Sequence, residues 1–239
     1  MKYIYGPVNS RRLGLSLGLS LVPYKTCTFD CIYCQLGRTT DLVCARKEYL
    51  EIARILDELK FWLENNNKEA ERLNFITLSG MGESALNNKI GALIQEIKDL
   101  SRVPLAVITN SSLINLPSVR QDLLKTDLIV PSLDAAQGQV LKRINSPHTH
   151  IKIEEIINGL INLRKEFKGK IWLEIMLVKG VNDDLRHIKK LKEIIEKVNP
   201  DKIHLNSPIR TAALANIATV DKNKLKKIQR ILGEACTIL

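Results

Sequence analysis

Three cysteines, Cys27, Cys31 and Cys34, fall within eight residues of Thr26-Cys27-Thr28-Phe29-Asp30-Cys31-Ile32-Tyr33-Cys34-Gln35. At C-x3-C-x2-C spacing, three thiolates can hold three corners of one iron–sulfur cubane from a single loop. Such clusters are held by cysteine thiolates and ordinarily take four of them. With three local ligands, one iron is left for a ligand that is not protein, which serves catalysis by the same logic as an open position on zinc. Two blander readings compete. A structural zinc site calls for a second C-x2-C pair, which the chain lacks. An electron-transfer cluster would take Cys44 or Cys236 as fourth ligand, and Cys44 lies ten residues beyond Cys34, within reach.

The wider composition constrains the setting of this loop. Five cysteines, three of them crowded together, do not suit a secreted disulfide framework. Hydrophobic content of 45% and charged content of 26% over 239 residues are ordinary globular usage. No apolar run approaches the ~20 residues of a membrane span, and the segment from Met1 to Pro7 lacks the apolar stretch of a secretion signal. A cytoplasmic location and no membrane partner are therefore expected. The net charge of +10 attracts anions, nucleic acid among them. Equally, Lys189-Lys190-Leu191-Lys192 and Lys222-Asn223-Lys224-Leu225-Lys226-Lys227 read as solvated helix faces.

The elements that must position the cysteines alternate along the chain. Strands are expected over 15–22, 75–78, 104–109, 128–133, 172–178 and 203–205, with the cysteine loop after the first. Between them run apolar stripes at i, i+3, i+4, i+7 spacing. Ile52, Ile55, Leu56, Leu59 and Leu63 carry one; Ile153, Ile156, Ile157, Leu160 and Leu163 carry another. Strict βα alternation implies an α/β fold with parallel strands and right-handed crossovers, as a doubly wound or a barrel-like sheet, in a single domain over 1–239.

In such folds ligands bind at the carboxyl ends of the strands, and polar residues recur there. Ser79-Gly80-Met81-Gly82-Glu83-Ser84 follows the second strand, where glycines admit close backbone approach and a carboxylate can receive an ammonium. Asn110 ends the third strand, Ser132 and Asp134 the fourth, Lys179 the fifth and Asn206 the sixth. Asn, Ser and Asp in such places also serve as helix N-caps. Glu174, on an otherwise apolar strand, is aimed into the interior to orient a substrate or to pair with a lysine. His148 and His150 read as part of a solvated loop.

The motif C-x3-C-x-aromatic-C after the first strand resembles the signature of the radical S-adenosylmethionine (radical SAM) superfamily. The string from Gly6-Pro7-Val8-Asn9-Ser10-Arg11-Arg12-Leu13-Gly14, continued by Lys25-Thr26-Cys27 through Gly37-Arg38-Thr39-Thr40, is similar to an uncharacterised Fe–S oxidoreductase branch related to tRNA wyosine synthases. The resemblance covers essentially the whole chain. It implies a partial (β/α)6 TIM-type barrel, a [4Fe–4S] cluster on Cys27, Cys31 and Cys34, and S-adenosylmethionine as cofactor. Gly80, Gly82 and Glu83 correspond to the Gly-Gly-Glu segment that binds the cofactor's amino group, although Met81 replaces a glycine and Ser84 the usual proline. Asn110, Ser132 and Asp134 correspond to contacts with ribose or carboxylate, and Tyr33 lies near the adenine. Leu205, with Val178, is implied as an apolar wall beside Asn206. Arg143, Glu174 and Lys179 are candidate substrate contacts, Arg143 also a partner for the cofactor's carboxylate or a plain surface charge. The implied activity is hydrogen abstraction from an unidentified substrate, driven by a one-electron reductant of the flavodoxin or ferredoxin type. RNA is the leading substrate; the alternatives are an activase that installs a glycyl radical in a partner protein, and a non-catalytic electron carrier using Cys44.

Overall fold

The computed structural model describes residues 1–209 and 212–239. Its elements, in order, are β1 (Ile4–Ser10), β2 (Gly14–Leu19), β3 (Thr26–Cys27), β4 (Asp41–Leu42), α1 (Ile52–Asn65), α2 (Asn67–Ala70), β5 (Phe75–Leu78), α3 (Ile90–Leu100), β6 (Leu105–Thr109), α4 (Pro117–Leu123), β7 (Leu128–Pro131), α5 (Gly138–Asn145), α6 (Ile153–Glu166), β8 (Lys170–Met176), α7 (Leu185–Val198), β9 (Lys202–Asn206), α8 (Lys222–Leu232) and β10 (Cys236–Ile238). Eight strands form one sheet in the order β1-β2-β5-β6-β7-β8-β9-β10, while β3 and β4 pair separately. Apart from the antiparallel β1–β2 pair, all neighbours in this sheet run parallel. The architecture is a partial β/α barrel, and among the described residues no pairing joins its two edges.

Strand parity divides the sheet's two faces, because successive side chains point to opposite sides. Leu17, Leu19, Ile76, Leu78, Val107, Ile129, Leu173 and Ile175 are fully buried and pack against Ile55, Leu59, Leu93, Leu160 and Leu191 of the helices. Residues of the other parity face the barrel interior. Low in it, Ala106, Leu128 and Val130 pack with Leu13, with Phe75 and Trp172 alongside. Higher up, Ser132, Glu174 and His204 fall in one register row across β7, β8 and β9.

The six expected strands are β2 and β5 to β9. The cysteine loop therefore follows the second strand, the first of the parallel set, and not the first strand of the sheet. A three-residue connection, Arg11 to Leu13, joins β1 to β2, and so short a link can only make an antiparallel pair. Gly6-Pro7 and a register shift between Tyr5 and Val8 break the alternation that would have marked β1 as a strand. Proline is tolerated there because β1 is an edge. The three-residue β10 and the short α5 were likewise too brief for periodicity to reveal. No described helix is long and apolar enough to cross a membrane.

The added edge is tied down by one carboxylate. Glu58 of α1 accepts from the backbone N–H groups of Lys2, Tyr3 and Ile4 at 3.1, 3.1 and 3.0 Å. Replacing it leaves three donors to water or to no partner, so Glu58→Ala should lower unfolding stability by about 1–2 kcal/mol. Urea denaturation measures this directly, and an unchanged midpoint would refute the role.

Candidate metal centre

Cys27 ends β3, and Cys31 and Cys34 follow in a loop without regular structure of its own. Such a loop must find its hydrogen bonds elsewhere. On one side Lys25 N donates to Met81 O at 2.6 Å and Glu83 N to Thr26 O at 3.3 Å. On the other, Asp30 N donates to Asn145 O and Ile32 N to Ile144 O, both at 3.0 Å, while His148 N donates to Thr28 O at 2.9 Å. The cysteines are thus suspended between the glycine turn after β5 and the carboxyl end of α5.

The glycines serve this suspension. A Cβ on Gly82 would stand 1.8 Å from Thr26 O, so only glycine lets the turn press against the backbone leading into Cys27. Gly80 holds φ +110° beside Ser20 Oγ. Gly82 brings backbone up to the cysteine loop, while Gly80 lies against Ser20 and Tyr5.

All three thiols are free and half-buried. Each accepts one side-chain N–H: Asn110 Nδ2 lies 3.5 Å from Cys27 Sγ, Asn145 Nδ2 3.3 Å from Cys31 Sγ, and Lys25 Nζ 3.2 Å from Cys34 Sγ. Burial pushes Cys27 up to about 11, with the nearby Glu83 carboxylate adding to the effect, and burial raises Cys31 further. Burial thus favours the protonated thiol at Cys27 and Cys31 unless a cation takes the proton's place. Among the described residues no three His, Cys, Asp or Glu side chains converge as a single ion would require. Three thiols from one loop, each with its own N–H donor, are the kind of donor set that an iron–sulfur cluster takes.

Beside the thiols, Tyr33, Asn110, Ser132 and Asp134 line one small cleft with Phe29 and Asn145. Asp134 is its hub. Its Oδ2 accepts from Tyr33 Oη at 2.5 Å and Asn145 Nδ2 at 2.8 Å, and its Oδ1 from Met176 N at 2.8 Å. Burial lifts its carboxyl to about 6 despite these donors. Glu83 is 2% exposed. Its Oε1 accepts from Thr109 Oγ1 and Ala85 N at 2.7 and 3.0 Å, and its Oε2 from Asn110 N at 2.7 Å. Burial raises its carboxyl as well.

Other expected site residues lie elsewhere. Leu205 is fully buried in the layer between sheet and helices, because its parity on β9 turns it away from the interior. Val178 packs with Ile32 and Ile144 beneath the cysteine loop. Arg143 is exposed and donates to Val181 O at 2.8 Å; Lys179 is exposed, its backbone N–H bonded to Ala218 O. Glu174 is buried facing the interior, and its partner is not a lysine. Arg12, from the β1–β2 turn, forms the ion pair, and Asn206 Nδ2 donates to the other carboxylate oxygen at 2.5 Å. His148 and His150 meet edge to face in their loop, with ring centres 4.9 Å apart.

Asn145 and Lys25 were not foreseen. An asparagine before Ser146-Pro147 looks like a helix end, and a lysine before the first cysteine looks like a surface charge; neither carries a local sign of contact with sulfur.

The family model described as Radical SAM superfamily matches residues 21–192. The chain is 36% identical over 237 residues to a protein of Brachyspira hyodysenteriae named GTPase Obg, covering 99% of this chain and 34% of that one. It thus spans about a third of that relative's length. To a UPF0026 protein of Methanocaldococcus jannaschii it is 33% identical over 234 residues, covering 98% of this chain and 72% of the other. Among solved structures, a radical SAM methyltransferase from Sphaerobacter thermophilus superposes with a TM-score of 0.73 at 18% identity. That match covers 94% of this chain and 65% of the other, and at such identity it demonstrates a shared fold.

The suspension of the loop is testable through thiol reactivity. Gly82→Ala should force the turn away from Thr26 and speed thiol labelling of Cys27 and Cys31 in the metal-free protein several-fold. Gly138→Ala, with no atom within 4 Å of the added methyl, is the control and should leave the rate unchanged. Equal labelling rates in the two variants would show that the close approach does not position the loop.

Proposed function

The chain belongs to the radical SAM superfamily, and from that premise we propose that Cys27, Cys31 and Cys34 bind three irons of a [4Fe–4S] cluster and leave the fourth to S-adenosylmethionine. Enzymes of this family use both groups. The observation that carries the reading is the cysteine loop: three free thiols, each with a side-chain N–H donor, beside the carboxyl ends of parallel strands. When bound, the cluster supplies one electron, drawn from a reductant of the flavodoxin or ferredoxin type, that cleaves S-adenosylmethionine to methionine and a hydrogen-abstracting 5′-deoxyadenosyl radical.

The chain's own residues would position the cofactor. A carboxylate has about four acceptor sites. Thr109, Ala85 and Asn110 occupy three on Glu83, and we assign the remaining one to the cofactor's ammonium. Gly80 and Gly82 hold that carboxylate beside Cys27. Asn110, Ser132 and Asp134 offer polar groups for ribose and carboxylate, and Tyr33, oriented by Asp134, presents its ring to the adenine. Leu133, Leu141, Ile153 and Ile156 give the same cleft an apolar side that keeps water from reactive atoms. Deeper in the barrel, Glu174 and Asn206, anchored to Arg12, face the space a substrate would enter.

We take RNA as the substrate class and residues 1–239 as one domain acting on it. Helices α7 and α8 pack side by side and carry exposed Lys189, Lys190, Lys226, Lys227 and Arg230, in a chain of net charge +10. A surface of this kind binds a polyphosphate by releasing its counterions. The alternative of a non-catalytic carrier is set aside by membership of an enzyme family.

Two measurements check this reading. After anaerobic reconstitution, the wild type should form 5′-deoxyadenosine from S-adenosylmethionine with dithionite, whereas Cys31→Ala should lose both bound iron and this activity; full cleavage by the variant would sink the ligand assignment. RNA binding should weaken steeply as salt rises. An absence of RNA affinity, together with unaltered RNA nucleosides in a deletion strain, would remove RNA and favour a protein substrate.

A further inference from the structure

Lys25 is a buried ammonium without a carboxylate. It is 3% exposed, and among the described residues no Asp or Glu forms an ion pair with it. Its Nζ instead lies 3.2 Å from Cys34 Sγ. Removing an ammonium from water without a counter-charge is strongly unfavourable, so the site calls for a negative charge where the sulfur stands.

The direction of this side chain is fixed by its backbone. Lys25 holds φ +58°, the left-handed region that a non-glycine residue keeps only when its surroundings over-determine it. Here they do. Lys25 N donates to Met81 O at 2.6 Å, and Lys25 O accepts from Thr40 N and Asp41 N, both at 3.2 Å. The same contacts that seat the cysteine loop therefore aim the ammonium at it. Asn110 and Asn145 complete a set of one N–H donor for each thiol.

Resting on the cluster ligation by Cys27, Cys31 and Cys34, we propose that Lys25 is a built-in counter-charge for the cluster, raising its reduction potential through Cys34. One added electron makes a thiolate-ligated cluster more negative. A fixed positive charge beside one ligand stabilises that reduced form, and hydrogen bonds to the sulfurs act in the same direction. The electron comes from the one-electron reductant and, in the absence of S-adenosylmethionine, stays on the cluster. The hydrogen bond of the Lys25 ammonium is to Cys34 Sγ, so Lys25 is a positioning residue acting through a ligand of the cluster. The consequence is a cluster that a milder reductant can charge.

The test is an EPR-monitored redox titration of the reconstituted proteins without S-adenosylmethionine, alongside iron and sulfide assays. Lys25→Met should load iron like the wild type yet titrate lower. At a fixed potential its oxidised-to-reduced ratio should rise at least about tenfold, equivalent to about 59 mV for a one-electron couple. Lys25→Arg, which keeps the charge, should recover most of that shift. A fully loaded Lys25→Met with the wild-type potential overturns the proposal. Should Lys25→Met load no cluster, restored loading in Lys25→Arg supports a need for charge, and continued failure in Lys25→Arg overturns it. A wild-type protein that binds no cluster would instead defeat the ligand assignment itself.

Discussion

The structure turns on a loop that cannot satisfy itself. Residues 27–34 carry three half-buried thiols on backbone with little structure of its own, and buried backbone must find partners. Two pieces of chain remote in sequence supply them. The glycine turn after β5 holds the entry through Lys25 and Thr26, and the end of α5 holds the middle through Asp30 and Ile32. The sheet is the frame that keeps these two supports at a fixed separation. Asn145 joins the loop twice, through its backbone carbonyl to Asp30 and its side chain to Cys31, while Glu83 joins it through its backbone N–H to Thr26.

Burial of the sulfurs has a second consequence. It disfavours the thiolates, and the amide and ammonium groups aimed at them act in the opposite direction. A site left to ordinary packing would surround cysteine with apolar atoms, as happens at Cys236 on β10, whose thiol burial lifts to about 12. Cys31 differs from Cys236 in having a polar neighbour, Asn145 Nδ2, within reach of its sulfur, and that hydrogen bond offsets part of the rise that burial imposes.

The interior of the barrel follows a related rule. Glu174 is tolerable there because Arg12 and Asn206 answer both of its oxygens: removing Arg12 leaves a buried charge without a counter-charge, and removing Asn206 leaves one oxygen without its donor. Arg12 reaches it only because β1 folds back antiparallel onto β2 and carries the intervening turn under the barrel. The β1–β2 hairpin is thus part of the interior's electrostatics. Leu205 illustrates the opposite outcome: one step along β9 from His204 and Asn206, it has the parity of the helix-facing layer and takes no part in the cleft.

Much of this was legible in the chain. Cys27, Cys31 and Cys34 have the spacing of a metal- or cluster-binding loop, and the alternation of short apolar runs with helical stripes yields the parallel sheet. Those features are local, since thiols three and four residues apart share a loop in any fold, and periodicity depends only on neighbours. What stayed hidden depends on which strands lie side by side. Asn145 and Cys31 are separated by 114 positions, and Arg12 and Glu174 by 162. Short segments such as β10 and α5 give periodicity too few residues to register. Sequence by itself determined the chemistry of the ligands and the class of scaffold. Tertiary structure alone decided which asparagine, lysine and arginine meet them, because those meetings arise from strand order, register and parity.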